Sequence, residues 1–209
     1  MIVISPVQSK GGTGKSTVGI QLATTATCLL GLRTAIVDTD PQGSATKWAG
    51  RRAPPLPLLF KSTPARLQDD LRQLRSSVDL CIVDTSGHDL AALSQAAVSS
   101  NLTVVATRPT ELDREAAVDV ISALRQFGLP HVVLLTQAPH RSSAKFRLWV
   151  DQYAQLAEVM DPVLTTLNAF QDSIVLGLGV EEYEPNGRAA EEVRAALDWI
   201  LRHINGARQ

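Results

Sequence analysis

The chain has 209 residues, 44% hydrophobic and 20% charged, which is enough for one sizeable α/β core. Its net charge of −1 provides no global field for nucleic acid, so any DNA contact must come from a local patch. No apolar run reaches the roughly 18 residues of a membrane span, and the apolar N-terminus lacks a basic lead-in, so it reads as a core strand of a cytoplasmic protein and not as a signal peptide.

Met1 to Val7 is that strand. It runs into Gln8-Ser9-Lys10-Gly11-Gly12-Thr13-Gly14-Lys15-Ser16-Thr17, then an amphipathic segment, Val18 to Leu30, closed by Gly31. A strand, glycines, Lys-Ser and a helix in this order make a phosphate loop. Gly11, Gly12 and Gly14 let consecutive N–H groups curl around phosphate oxygens. The helix beginning near Lys15 adds its positive end. Lys15 is expected on the β- and γ-phosphates and the Ser16 hydroxyl on Mg²⁺. Ser9 stands where the usual first glycine would be, and Lys10 is one lysine more than the loop needs.

Arg33 to Val37 is a short strand ending in Asp38-Thr39-Asp40-Pro41-Gln42-Gly43, ahead of a helix over Ser44 to Arg51. Asp38 and Asp40 are either solvated loop or cap residues, or the carboxylates that Mg²⁺ and an attacking water require. Their neighbourhood to a phosphate loop favours the second. A proline- and arginine-rich connection, Arg52 to Pro57, leads to a short edge strand at Leu58 to Lys61. A helix from Pro64 to Arg75 then carries the stripe Leu67, Leu71 and Leu74.

Val78 to Asp84 is an apolar strand ending in aspartate, the form of a Walker B element whose carboxylate holds Mg²⁺. Thr85-Ser86-Gly87 completes Asp-x-x-Gly, in which the glycine lets a backbone N–H approach a γ-phosphate. His88 is either a general base or a loop residue before the helix from Asp89.

Asn101 to Thr107 is a buried strand leading to Arg108-Pro109-Thr110-Glu111-Leu112-Asp113. There Thr110 can cap a helix, with Asp113 three residues on, and the helix continues over Ala116 to Phe127. Val132 to Thr136 is a sixth strand. A helix from Ser142 to Val159 follows, with Phe146, Trp149, Val150, Tyr153 and Leu156 on one face. Val163 to Leu167 reads as a last strand and Arg188 to Ile204 as the terminal helix. This alternation predicts a single α/β domain over residues 1–209: a doubly wound, mostly parallel sheet with ligands at the carboxyl ends of its strands. Cys28 and Cys81 lack metal-ligand spacing and read as core residues, which argues against an iron–sulfur role.

Lys10-Gly-Gly-Thr-Gly-Lys15-Ser16-Thr17 resembles the deviant Walker A of the ParA/MinD ATPases, whose signature is the early lysine. Val37 to Gly43 is similar to the ParA form of the next element, and Arg108 to Asp113 resembles the family's Pro-x-x-x-Asp loop. Gly177 to Glu182, with Arg188 to Glu192, resembles its C-terminal end. The resemblance spans nearly the whole chain and is nearest to short ParA proteins without an N-terminal DNA-binding extension. It implies a homodimer holding two ATP molecules, with Lys10 reaching the partner's phosphates and Lys15 its own. Asp40 would position water, while Asp38, Asp84 and Ser16 would support Mg²⁺. It also implies slow hydrolysis stimulated by a ParB-like partner, and ATP-dependent non-specific DNA binding over the nucleoid that partitions a plasmid or chromosome; the alternatives are a MinD-like membrane-cycling or protein-cargo-positioning ATPase, or a metabolic or metallochaperone NTPase of the same fold. One departure stands out: Asp84-Thr85-Ser86-Gly87-His88 replaces the usual Asp-Thr-Pro-Pro.

Arg141, Lys145, Arg147, Arg188, Arg194 and Arg202 are the candidate DNA contacts. Thr136-Gln137-Ala138-Pro139 lacks the aspartate of a guanine-recognition loop, so adenine is expected there, against Gln137 and Pro139. A MinD-like membrane anchor would need a basic amphipathic tail. Asp198 to Gln209 is short and offers only Arg202 and Arg208, so no stable anchor is expected.

Overall fold

The computed structural model describes residues 1–87 and 89–207. Two residues singled out by sequence, His88 and Arg208, lie outside that range. Six strands, β1 (Ile2–Val7), β2 (Thr34–Asp38), β3 (Leu58–Lys61), β4 (Leu80–Asp84), β5 (Leu102–Thr107) and β6 (His131–Leu135), form one sheet in the order β3-β2-β4-β1-β5-β6. Every pairing is parallel, so the carboxyl ends of all six strands share one edge.

The strand residues alternate between two buried faces. Ile4, Ile36, Ile82, Val104 and Leu134 enter one core, beneath α1 (Lys15–Leu30), α2 (Ser44–Ala49) and α9 (Arg188–Gly206). Val7, Val105 and Val133 face α5 (Glu111–Gln126) and α6 (Ala144–Ala154), while Val3, Val37 and Val83 face α3 (Leu67–Leu74). α4 (Leu90–Val98) is started by Asp89, whose carboxylate accepts from the Ala91 and Ala92 N–H groups. Strands covered on both sides need near-continuous apolar runs, which is what their sequences are.

The C-terminal third differs from the sequence expectation. Val163 to Leu167 is not a strand, although Leu164 N–H donates to the Leu135 carbonyl of β6 and the segment pairs with the β6 exit through an isolated bridge, Ala138 to Thr165. The pairing is interrupted at Gln137, whose φ of 49° turns the chain between Leu135 and Ala138. The Glu192 carboxylate, moreover, takes both the Thr165 N–H and hydroxyl at 2.7 Å. The expected helix over Ser142 to Val159 stops at Ala154, because the Glu158 carbonyl accepts from Val133 and Met160 N–H donates back to β6. Two helices went unforeseen, α7 (Asn168–Val175) and α8 (Val180–Tyr183). The signal for α7 was the spacing of Phe170 and Ile174 before Gly177, which sits at φ 72°.

Candidate functional site

The loop between β1 and α1 opens a cavity of 460 Å³ lined by its glycines, Lys15, Ser16, Thr17, Asp40, Gln42 and Gly87, among others. Gly12 and Gly14 adopt φ 76° and 93°, conformations that side chains resist. Gly14 occupies the N-cap of the 16-residue α1 without a side-chain cap, so the first N–H groups of the helix remain for an anion. The β6 exit clamps the loop from outside: Thr136 Oγ1 donates to the Thr13 carbonyl at 2.7 Å, and Gln137 Nε2 donates to the Gly12 carbonyl at 3.2 Å.

Lys15 is 8% exposed and its Nζ donates to the Lys10 carbonyl at 3.1 Å. Burial lowers its pKa, while the charges of Asp84 and Asp40 oppose that shift. A buried ammonium with one hydrogen bond has donors to spare for phosphate. A Cβ on Gly87 would stand 2.8 Å from Lys15 Nζ and 2.9 Å from the Gln8 carbonyl. Gly87→Ala is therefore expected to displace the lysine or the loop at a cost of about 1–3 kcal/mol, and to weaken ADP binding about tenfold or more in titration calorimetry. Undiminished affinity would mean that the switch loop yields freely.

The parallel register sets Asp38 beside Asp84. Asp84 is 1% exposed. One of its oxygens accepts from Ser16 Oγ at 3.0 Å, and the other is buried without a partner. Its pKa is pushed up to about 7, first by burial, then by Asp38 and Asp40, against the Ser16 hydrogen bond and the Lys15 charge. An orphaned buried carboxylate oxygen beside a serine hydroxyl fits a hard cation such as Mg²⁺. Among the described residues no group of three or more His, Cys, Asp or Glu could hold a metal by itself.

Asp38 is committed differently. Its oxygens accept from Asp40 N–H at 3.1 Å, from Thr46 N–H at 2.9 Å and from Thr46 Oγ1 at 2.7 Å, so it shapes the loop that presents Asp40. Asp40 is half-buried on the cavity wall, one oxygen accepting from Gln42 N–H at 2.8 Å.

A second cavity of 320 Å³ adjoins the first through Gly14, Thr17 and Ile174. Its walls are Thr136 and Gln137 on one side and Leu167, Phe170 and Gln171 on the other, dimensions and chemistry suited to a flat base. Of the two residues assigned to adenine by sequence, Gln137 lines this cavity. Pro139 faces a neighbouring polar one with Arg108, Thr110 and Lys145. Phe170 and Gln171 escaped notice because α7 did.

Lys10 points elsewhere. It is not among the described residues lining the phosphate cavity, and its Nζ lies 2.7 Å from Asp113 Oδ1. Asp113 is fully enclosed and also takes Arg108 Nε at 2.5 Å. Burial pushes its carboxyl up, but the hydrogen bonds from Arg108 and Lys10 outweigh it and hold the pKa below the ordinary value. Thr110 caps α5 as expected. Among the candidate DNA contacts, Arg141, Arg188, Arg194 and Arg202 are each paired with an acid. Lys145 and Arg147 have no ion-pair partner among the described residues.

The profile of the family described as "CobQ/CobB/MinD/ParA nucleotide binding domain" matches residues 4–201. The chain is 36% identical over 200 residues to a "Maintenance of carboxysome distribution protein A" from Gloeobacter kilaueensis, covering 94% of this chain and 84% of that one. A putative plasmid partition protein from Borrelia burgdorferi, bound to AMPPNP, superposes with a TM-score of 0.75 at 16% identity, covering 97% and 99% of the two chains. The septum site-determining protein MinD from Pyrococcus horikoshii, complexed with Mg-ADP, gives 0.71 at 17% identity over 95% of each. These last two likenesses show the fold.

Proposed function

The chain belongs to the CobQ/CobB/MinD/ParA nucleotide-binding family, whose ParA and MinD branches are ATPases, and on that premise we propose that it is an ATP-operated dimer that positions cargo. The observation that carries this reading is the division of labour between its two lysines. Lys15 serves the chain's own phosphate cavity, while Lys10 is held outside it on Asp113. A cation delivered in trans to a transferring phosphoryl group acts as an arginine finger does, stabilising charge only when the second subunit is present.

In this reading the loop N–H groups and Lys15 bind the phosphates, and the wall from Phe170 to Gln171 packs on the base. Asp40 orients water toward the γ-phosphate. Ser16 and Asp84 would hold Mg²⁺, which would supply charge neutralisation at the phosphates when bound. Asp38 fixes the loop that carries Asp40. Hydrolysis in the monomer is slow because Lys10 is absent from the site, and a stimulating partner protein would complete the cycle. Lys145 and Arg147 are the best candidates for backbone contacts to non-specific DNA, since no acid competes for them.

The cargo reading is supported by the similarity to a carboxysome distribution protein over 94% of the chain, which favours a protein assembly over a plasmid or chromosome. A membrane-cycling role has less support: an interfacial anchor needs a basic polar face, and Arg202 of the terminal helix is paired with Asp198. The test is a mobility shift on non-specific duplex DNA with ATP, ADP or no nucleotide, beside co-sedimentation with anionic liposomes. Retardation with ATP alone is expected. Liposome binding with ATP and no DNA binding would overturn the DNA-based reading.

A further inference from the structure

Asp113 carries two cations where one suffices. Lys10 Nζ and Arg108 Nη2 both approach Oδ1, at 2.7 and 3.3 Å, while Arg108 Nε holds Oδ2 at 2.5 Å. The carboxylate is fully enclosed, whereas Lys10 and Arg108 remain 35% and 31% exposed. The two cations are mounted differently. Lys10 sits on a glycine-rich loop. Arg108 sits at the β5–α5 turn, where the Tyr153 hydroxyl of α6 donates to its carbonyl at 2.9 Å and lies 2.9 Å from the Thr107 hydroxyl. The arginine is therefore the fixed partner and the lysine the movable one.

We propose that Arg108 is a positioning residue for the lysine switch: it retains Asp113 when Lys10 leaves for a second subunit. This rests on the reading of Lys10 given above. Removing one partner of a buried ion pair is costly because it strands the other charge. Arg108 removes that penalty, since its planar fork already spans both carboxylate oxygens. It also competes with Lys10 for Oδ1. Without Arg108, dimerisation must leave Asp113 buried and unpaired, so Lys10 stays on it.

The test is light scattering with Mg-AMPPNP on the unsubstituted chain, Lys10→Ala, Arg108→Gln, Arg108→Lys and Asp113→Asn, plus the double variant Asp113→Asn/Arg108→Gln. Binding of a fluorescent ADP identifies folded protein, and Arg108→Met replaces the glutamine variant if that one does not fold. Arg108→Gln is expected to raise the dimer dissociation constant by about tenfold or more, because a buried charge is stranded. Arg108→Lys, which keeps the charge but not the fork, should restore part of the loss. In the Asp113→Asn background, Arg108→Gln should change the constant by less than about threefold, as no charge remains to couple to. A merely structural arginine would show the same loss in both backgrounds and no rescue by lysine; that result overturns the proposal. So does normal dimerisation of Arg108→Gln while Lys10→Ala fails to dimerise. Normal dimerisation of Lys10→Ala removes the lysine reading itself, and this inference with it.

Discussion

Lys15→Ala is expected to abolish nucleotide binding at micromolar concentrations. Lys15 Nζ is buried over the phosphate cavity, spends one hydrogen bond on the Lys10 carbonyl, and faces Asp84 and Asp40 across the site. Removing it deletes the cation nearest the phosphates and leaves two carboxylates without their counter-charge. Truncating one partner of such a buried charge pair costs about 2–5 kcal/mol, or roughly 30- to several thousand-fold in affinity. Titration calorimetry with ADP measures this loss directly. The fold should survive, since Lys15 bears little of the core.

Lys10→Ala is expected to separate binding from assembly. The Lys10 side chain lies outside the phosphate cavity, and the carbonyl that accepts from Lys15 survives the substitution, so ADP affinity should stay within about threefold of the parent. The melting temperature should change little, because Asp113 retains Arg108 through both oxygens. The ATP-dependent dimer, by contrast, should be lost, as should the turnover that depends on it. Steady-state hydrolysis at rising protein concentration reads this out: the parent's rate per chain should climb, and the variant's should stay flat. A Lys10→Ala protein whose specific activity climbs in parallel with the parent would contradict the account.

Much of the site is legible in sequence where its function is local. The phosphate loop is a contiguous run in which each residue type has one physical job, and the strand before it and the helix after it announce themselves by periodicity. Asp84 is legible for the same reason, as the polar stop of an apolar strand. What escaped depends on contacts between distant parts of the chain. Asp113 reads locally as part of a helix cap, and only the fold brings it under Lys10. Asp38 reads as a metal ligand, yet Thr46 and the Asp40 N–H occupy its oxygens. The cavity wall supplied by α7 was hidden because eight residues, little more than two turns, give a weak helical signal. Val163 to Leu167 has strand composition and bonds to the β6 exit, but Gln137 at φ 49° interrupts the ladder between Leu135 and Ala138. The six basic candidates were indistinguishable until four were found paired with acids.

The central claim is that nucleotide state sets oligomeric state. Multi-angle light scattering of the unsubstituted chain with Mg-AMPPNP, with Mg-ADP and without nucleotide tests it directly. The account predicts twice the 22.5 kDa chain mass with Mg-AMPPNP and the single-chain mass in the other two conditions. The same mass in all three, whether monomer or dimer, would contradict it.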